Sequence, residues 1–540
     1  MTSPQEIELK LLLPAVQTDA FRKRMARRRT VKPVEQDLLT IYFDTPDFAL
    51  AKAGMALRVR RDGRRWLQTL KTEGDRHGGL SRRREYEMAV GKGVPDWSRF
   101  PPEAQALVAE DLRAHIVPVF ETRFRRTAWL LEARGGTRIE VALDVGEIAA
   151  RKGADQAARS ESICEIELEL KSGRPDALFA LGLEWARGFG CVPFDPSKAE
   201  RGAALARGVA ASPVKASALV LDTGMSVEDG FAAIVRVCLA HFQANLPGVL
   251  EILPRVRDDE GAGETPANAV PTPADGEIEY VHQARVALRR LRAALRLFRR
   301  VCVLPDELMA DLRAVTGALG PTRDWDVLTC ETLPMMAPHY PDPARWTTGA
   351  DALQAQRAEV RAAMQTSLAT ARPGAWLLSM HRWLLRHGWR TSSDGAMVSE
   401  MQRFEQLSPL DAWVRVALQR GHRRVMRGAR VFDELEPVER HALRIEIKRQ
   451  RYAVEFFQAL FTPYPKTARR QGAYLAILRA GQESLGRAND AHIAWELLTT
   501  APAAPSIDFA LGWLAATLAN GGDEESAAIM ADFLDTRTYW

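Results

Sequence analysis

The feature that most constrains this chain is an alternation of charged and apolar residues that recurs between residues 1 and 208. Glu6-Ile7-Glu8-Leu9-Lys10 has a period of two, the period of a β-strand. Glu6, Glu8 and Lys10 therefore share one face, and Ile7, Leu9 and Leu11 the other. Arg58 and Arg60 lie opposite Leu57 and Val59, and Lys71 follows Thr69 opposite Leu70. Glu85 and Glu87 alternate with Tyr86, just after the basic run Arg82-Arg83-Arg84. Glu140 and Asp144 flank Ala142, and Glu165, Glu167 and Glu169 alternate with Ile166, Leu168 and Leu170. An ordinary core excludes such a set, because burying unpaired charge costs many kcal/mol. An ordinary surface sheet explains one such strand, but six of them would leave Ile, Leu and Val facing outward. A closed barrel with a charged lumen resolves both problems if helices cover its apolar outer faces.

Further strand-like segments are Thr40–Asp44, Ala56–Arg61, Arg65–Lys71, Arg84–Val90, Thr127–Glu132, Arg138–Asp144 and Ile163–Leu170, with a short helix expected at Asp19–Arg29. Gly-rich turns separate them at Asp62-Gly63, Gly78-Gly79, Gly91 to Gly93, Gly135-Gly136 and Lys152-Gly153. Many short strands with such turns read as an antiparallel barrel or sandwich. At 540 residues the chain exceeds one hydrophobic core, so a multi-domain α+β protein is expected. Val209–Ser217 is small and Pro-containing, and helical periodicity dominates beyond Asp222. The expected domains are residues 1–208, a linker at 209–221, and a helical domain at 222–540. Arg257–Gly276, rich in Gly, Pro and acidic residues, reads as a flexible loop.

The five cysteines are scattered without a C-x-x-C pair, which points to reduced thiols and no zinc site. No apolar signal core opens the sequence and no run of about 18 apolar residues could span a bilayer, so a soluble, cytoplasmic protein without a membrane partner is expected. The net charge is only +5, but it conceals local arginine blocks that call for an anionic partner.

The lumen inventory suggests which anion. Carboxylates without histidine or cysteine favour the hard cations Mg²⁺ or Mn²⁺. Lysine and arginine suit phosphate oxygens, arginine through its bidentate fork. A condensed phosphate held with metal is the natural ligand. The segment Glu6–Lys10 matches the E-x-E-x-K signature of the CYTH superfamily, the triphosphate tunnel metalloenzymes. The likeness continues in order through Arg58-Val59-Arg60, Thr69-Leu70-Lys71, Arg83 with Glu85, Arg126, Asp144-Val145-Gly146-Glu147, Glu165 to Glu169, and Ser197-Lys198 with Arg201-Gly202. This resemblance implies an eight-stranded antiparallel tunnel barrel that hydrolyses a bound triphosphate with divalent metal. It implies that Glu6, Glu8, Glu167 and Glu169, with Glu85 and Asp144, hold metal. It implies that Lys10, Arg58, Arg60, Lys71, Arg83, Arg126, Lys198 and Arg201 clamp phosphate.

The second half carries a basic helix twice. Val281–Val301 holds seven arginines and no acidic residue. At about 100° per residue, His282, Arg285, Arg289, Arg292 and Arg296 gather on one face beside the apolar stripe Ala284, Leu288, Leu291, Leu295 and Phe298. The pattern returns at His441, Arg444, Lys448, Arg449 and Arg451, offset by 159 residues (441 − 282), with Glu455 in place of Arg296. Each copy is followed by a related turn, Leu319-Gly320-Pro321-Thr322-Arg323-Asp324 and Leu485-Gly486-Arg487-Ala488-Asn489-Asp490. This internal duplication implies two repeats, about 222–400 and 401–540, packed about a pseudo-twofold axis. A further basic helix, Val414–Arg430, adds Arg423 and Arg427. The arrangement resembles the CHAD domain, an α-helical module often fused to CYTH domains, which implies a duplicated helical bundle that binds inorganic polyphosphate. His282 and His441 are either hydrogen-bond donors to phosphate or packed structural residues.

The expected function is therefore a metal-dependent inorganic triphosphatase, a phosphoric anhydride hydrolase, whose helical domain retains polyphosphate or docks on polyphosphate granules. The alternatives are a triphosphatase or cyclase acting on thiamine triphosphate or ATP, or a non-catalytic polyphosphate-binding protein. No aromatic recognition patch for an organic group stands out. A nucleic-acid partner is disfavoured because the basic helices lack interleaved aromatics and a base-reading motif.

Overall fold

The computed structural model describes residues 5–28, 32–63, 65–133, 136–150, 159–258, 275–391, 395–519 and 523–540. It divides into two compact units: one of residues 1–213, 243–269 and 372–386, the other of 214–242, 270–371 and 387–540.

The first unit is built on eleven strands among the described residues: β1 Gln5–Leu12, β2 Val34–Asp44, β3 Ala56–Asp62, β4 Arg65–Lys71, β5 Asp75–His77, β6 Leu80–Val90, β7 Val117–Ala133, β8 Thr137–Ala150, β9 Arg159–Ser172, β10 Val192–Pro193 and β11 Val256–Asp258. Eight of them run in the order β1-β6-β4-β3-β2-β7-β8-β9, and β9 pairs with β1 to close an antiparallel barrel. The period-two segments are the strands, as expected. Several extend further than the alternation showed, notably β7, whose first half mixes Pro118 and three arginines into the pattern.

The apolar faces point outward and are covered. Leu9, Leu11, Val141, Leu143, Ile166 and Leu168 pack with Phe21 of the helix Thr18–Ala26 and with Leu178, Phe179 and Trp185 of the helix Asp176–Phe189. Phe43, Leu57, Val59 and Leu70 pack with Phe100, Ala104 and Val108. At one end the inward faces themselves turn apolar, and there Tyr42, Phe120, Ile148 and Ile163 pack with Ala203 and Leu205 of the helix Lys198–Ala206. Each large side chain so buried contributes roughly 1.5–3 kcal/mol. That burial turns the charged faces inward.

The Arg257–Gly276 segment, expected as one loop, is more structured at its edges. Val256–Asp258 pairs with β9, and a helix begins at Asp275. Residues 259–274 lie outside the described residues, as do the Lys152-Gly153 turn and Gly135.

The second unit is helical. Its basic helices are Asp275–Leu297 and Pro437–Phe456, and the latter packs on Pro465–Thr499, Leu410–Arg430 and Asp275–Leu297. An aromatic centre of Phe231, Phe298, Trp389, Trp413 and Phe457 holds one region. Trp325, Leu353, Leu498, Ile507 and Leu514 fill another. Glu228, buried at 4% exposure, accepts hydrogen bonds from Trp389, Arg390 and Arg403, which hold its carboxyl at about 2 against the cost of burial. No helix among the described residues is long and apolar enough to cross a membrane.

Candidate active site

The barrel encloses a cavity of about 720 Å³. Glu6, Glu8, Lys10, Arg58, Arg60, Lys71, Arg83, Glu85, Arg126, Glu167, Glu169 and Lys198 all line it. Strand register explains how so much charge is tolerated. Glu6 sits opposite Arg83, Lys10 opposite Glu167, Lys71 opposite Glu85, and Arg126 opposite Asp144. Opposite charges directly across a ladder stabilise the pairing. The contacts are close: Lys71 Nζ lies 2.9 Å from both Glu6 and Glu85, and Arg83 donates to Glu8 at 2.7 Å. Arg58 reaches Glu85 at 3.5 Å and Arg60 reaches Glu87 at 3.3 Å.

Two expected residues lie on the inward side but beneath other side chains. Asp144, fully buried, accepts both arms of the Arg126 fork at 2.7 and 2.6 Å. Arg201 donates to Glu161, Glu165 and the Ser162 carbonyl. Neither lines the cavity.

The tightest acidic cluster is Asp144, Glu165 and Glu167, with one oxygen from each within 4.8 Å of the others. A cation already fills it. Lys198 Nζ donates to Asp144 at 2.7 Å, to Glu167 at 2.8 Å and to Glu165. Burial disfavours the charge on Glu167, but Lys198 and Arg126 outweigh it and hold its carboxyl well below the usual range. Burial likewise opposes the Lys198 charge, and the three carboxylates overcome it and push its pKa up.

Glu169 is less fully balanced. Glu169 sits opposite Glu8 on one neighbouring strand and Glu140 on the other, and like charges so placed repel. Burial raises the Glu169 pKa, and Glu6 and Glu140 add to the rise; Lys171, at 2.7 Å, only partly offsets it. Oxygen donors facing open space with an unmet demand for positive charge suit a hard divalent cation. Glu169 is the donor of that kind, with Glu8 and Glu140 opposite it; Glu6 and Glu8 already share Lys71 and Arg83, so an ion held there with Glu169 would take over part of that pairing, whereas the cluster around Lys198 is already filled.

The helical unit assembles a different kind of site. Arg285 reaches Asp324 at 3.8 Å, and its counterpart Arg444 reaches Asp490 at 3.9 Å. The two Leu-Gly segments expected as turns are helical instead, Gly320 opening the helix Gly320–Val327 and residues 485–490 lying within Pro465–Thr499, and both glycines lie beside the Arg285 and Arg444 guanidiniums. Cations from both repeats meet here. Burial and the nearby Arg444, Arg289 and Arg451 lower Lys448 to about 8, with Asp490 opposing. Arg292, Arg296, Arg423 and Arg427 are exposed. Arg451 is drawn aside to Gln482 and Glu455, so the substitution of Glu455 for an arginine weakens the second copy. The two histidines differ: His441 is exposed, whereas His282 is partly buried and kept neutral by burial and Arg323.

A CYTH profile matches residues 4–202 and a CHAD profile matches residues 233–499. The chain pairs a CYTH domain with a CHAD domain.

The inorganic triphosphatase of Haemophilus influenzae is 36% identical over 180 residues, 32% of this chain and 47% of that protein. The match thus spans about half the length of that curated relative. A CHAD domain from the plant Ricinus communis is similar at 28% identity, covering 60% of this chain and 97% of that one, with a TM-score of 0.47. A Hippeastrum protein described as having a dominant triphosphatase activity is 19% identical, covering 38% of this chain and 97% of that one, with a TM-score of 0.26.

The CYTH cavity also contains residues not singled out as site candidates: Gln36, Tyr42, Glu87, Glu140, Lys171 and Ser197. Glu87 and Glu140 belonged to the alternating strands, and Lys171 simply continues the Glu165–Glu169 pattern by one more period. Tyr42 and Ser197 gave no charge signal to find them by.

Proposed function

We propose that this protein is a metal-dependent inorganic triphosphatase that cleaves tripolyphosphate to pyrophosphate and phosphate. The observation that carries the reading is the barrel cavity, in which cations able to grip phosphate alternate with carboxylates, Glu169 the least compensated among them. The CYTH match and the triphosphatase relative support it.

Arg58, Arg60, Lys71, Arg83 and Arg126 are each preorganised by a carboxylate within 3.5 Å. An arriving triphosphate exchanges those carboxylates for its own oxygens, so little side-chain ordering remains to be done on binding. Lys10 from β1 and Lys198 from the helix Lys198–Ala206 complete the clamp, with Arg201 positioning Glu165 beside Lys198. Glu6, Glu8, Glu169 and Glu140 would hold Mg²⁺ or Mn²⁺, with Glu85 and Glu167 beside them. Such an ion, when bound, neutralises developing charge and polarises the terminal phosphoryl group. The enclosing barrel limits bulk water to what the cavity admits, which strengthens every one of these interactions.

The CHAD domain binds inorganic polyphosphate through Arg285, Arg289, Arg444 and Lys448, with Arg292, Arg296, Arg423, Arg427, Arg451, His282 and His441 around them. It would retain polyphosphate or dock the enzyme on polyphosphate granules in the cytoplasm.

One observation favours a second reading, an organic triphosphate such as thiamine triphosphate or ATP. A cavity of about 330 Å³ shares Lys71 and Arg83 with the tunnel and is lined by Met55, Leu57, Tyr42 and Phe120, whose rings stack 4.5 Å apart. This is an apolar patch of the kind that did not stand out from the sequence. Phosphate release from tripolyphosphate, ATP, thiamine triphosphate and long-chain polyphosphate, with Mg²⁺ or Mn²⁺ and with chelator, separates the readings. Release from tripolyphosphate should dominate and vanish with chelator; absence of metal-dependent release from all four would sink the enzyme reading.

A further inference from the structure

The first unit contains a helix that its own stretch of sequence does not supply. Pro373–Leu385 lies inside the span matched by the CHAD profile, yet it belongs to the compact unit that holds the barrel. It is not a surface appendage. Pro373, Gly374, Ala375, Trp376, Leu377, Leu378, Met380, His381, Trp383 and Leu384 are all buried.

Its contacts fall on the backbone that carries the tunnel's phosphate-facing residues. Ala375 and Leu378 share an apolar cluster with Leu9 and Leu11, the outward-facing neighbours of Glu8 and Lys10 on β1. Gly374 comes so close to Cys191 that an added Cβ would lie 2.3 Å from its carbonyl oxygen. Cys191 leads into β10, which pairs with Leu11 and Leu12. At the other end of the helix, the His381 ring fills the space beside Gly78, whose φ of +67° and missing side chain the turn requires. The next residue, Gly79, accepts from the Lys10 N–H at 3.0 Å and donates to Asp195 at 2.8 Å. Phe194 N–H donates to the Lys10 carbonyl at 3.0 Å, and Lys10 Nζ donates to the Pro196 carbonyl. Ser197 and Lys198 follow at once. Arg382 fastens the helix to Asp176 with a bidentate pair at 2.8 and 3.1 Å, and Arg386 joins it at 2.9 Å.

A helix that merely filled an apolar gap would need none of this convergence on one strand and one short segment. We propose that Pro373–Leu385 is a positioning element of the tunnel, clamping β1 and the Cys191–Lys198 segment so that Lys10 and Lys198 stand where phosphate is gripped. Residues from within the CHAD-matched span then complete the CYTH site. The proposal rests on the triphosphatase reading for its kinetic readout, and its second readout does not.

The test uses the full chain carrying Arg382→Ala with Arg386→Ala, and separately Leu378→Ala. Chemical denaturation first confirms the folded fraction at the assay temperature. With tripolyphosphate and Mg²⁺, the double variant should raise KM about five- to tenfold while kcat changes less than threefold, and Arg382→Lys alone should recover most of the loss. Amide exchange at Lys10 and Phe194 should speed up in both variants, with that at helix Pro437–Phe456 unchanged. Unchanged KM together with unchanged exchange at Lys10 and Phe194, while exchange within 373–385 rises, would overturn the proposal. If the unaltered chain does not turn over tripolyphosphate, the triphosphatase reading fails, and the exchange arm still decides the positioning claim.

Discussion

The tunnel and the helical cluster are both rich in cations, but they treat them in opposite ways. In the tunnel, Arg58, Arg60, Lys71, Arg83, Arg126 and Lys198 each have a carboxylate within 3.5 Å. In the cluster, the carboxylates that reach Arg285 and Arg444 among the described residues are Asp324 and Asp490, at 3.8 and 3.9 Å, and Lys448 is crowded by Arg444, Arg289 and Arg451. The first is a pocket whose cations are matched by carboxylates of its own wall. The second is a surplus of positive charge awaiting a counter-ion. The difference teaches that similar residues can be matched pair by pair in one place and left in surplus in another, as the proposed selective and polyanion-binding roles require.

The largest effect should come from breaking the internal match. Lys198→Met leaves Asp144, Glu165 and Glu167 buried without their shared cation and should cost about 3–5 kcal/mol of stability in chemical denaturation. A cost below about 1 kcal/mol would mean that the three carboxylates are not held charged by Lys198. Next, Glu8→Gln keeps the shape of the wall but removes one oxygen charge from the group facing the cavity. It should lower metal-dependent phosphate release on the order of a hundredfold, the scale for losing one electrostatic contact at a transition state, with polyphosphate binding by the full chain unaltered.

How much of this was legible in the sequence depends on what kind of signal each feature leaves. Period-two charge exposed the charged strands, the barrel and most of the cavity's charged residues, because each inward face had to repeat its pattern, whereas Arg126 and Lys198, the latter on a helix, came only with the family resemblance. Asp144 and Arg201 were legible as residues but not as a layer: alternation tells which face a side chain takes, not whether another side chain stands in front of it. Lys198 as the filler of the acidic cluster depends on a contact 54 residues away from Asp144, which no local period encodes. The helix Pro373–Leu385 was read as part of the helical half because nothing in its own sequence says which core it joins. The duplication at 159 residues, by contrast, set Arg285 and Arg444 in register, and the structure adds that each contacts the aspartate of its related segment, Asp324 and Asp490.

Smaller effects sharpen the cluster side of the comparison. Burial and arginine neighbours lower Lys448 to about 8, so the free site is fully charged below that pH and loses a cation as pH rises through it. Bound polyphosphate favours the charged form, so binding should weaken roughly tenfold between pH 7 and 9 and take up a proton near its upper end. Lys448→Arg should flatten that profile in calorimetric titrations, and an unchanged profile would remove Lys448 from the site. The smallest change expected is with Arg289→Ala, which should reduce the slope of log affinity against log salt by about one, as for any single polyanion contact.

The comparison is tested most directly by one salt series on the unaltered protein, following tripolyphosphate turnover and long-chain polyphosphate binding in the same solutions. The preorganised tunnel is mostly shielded from salt, whereas the cluster's affinity rests on counter-ion release. Between 50 and 500 mM salt, polyphosphate binding should fall by about a hundredfold or more while KM for tripolyphosphate moves only a few-fold. Parallel losses of both, or binding that outlasts turnover, would contradict the account.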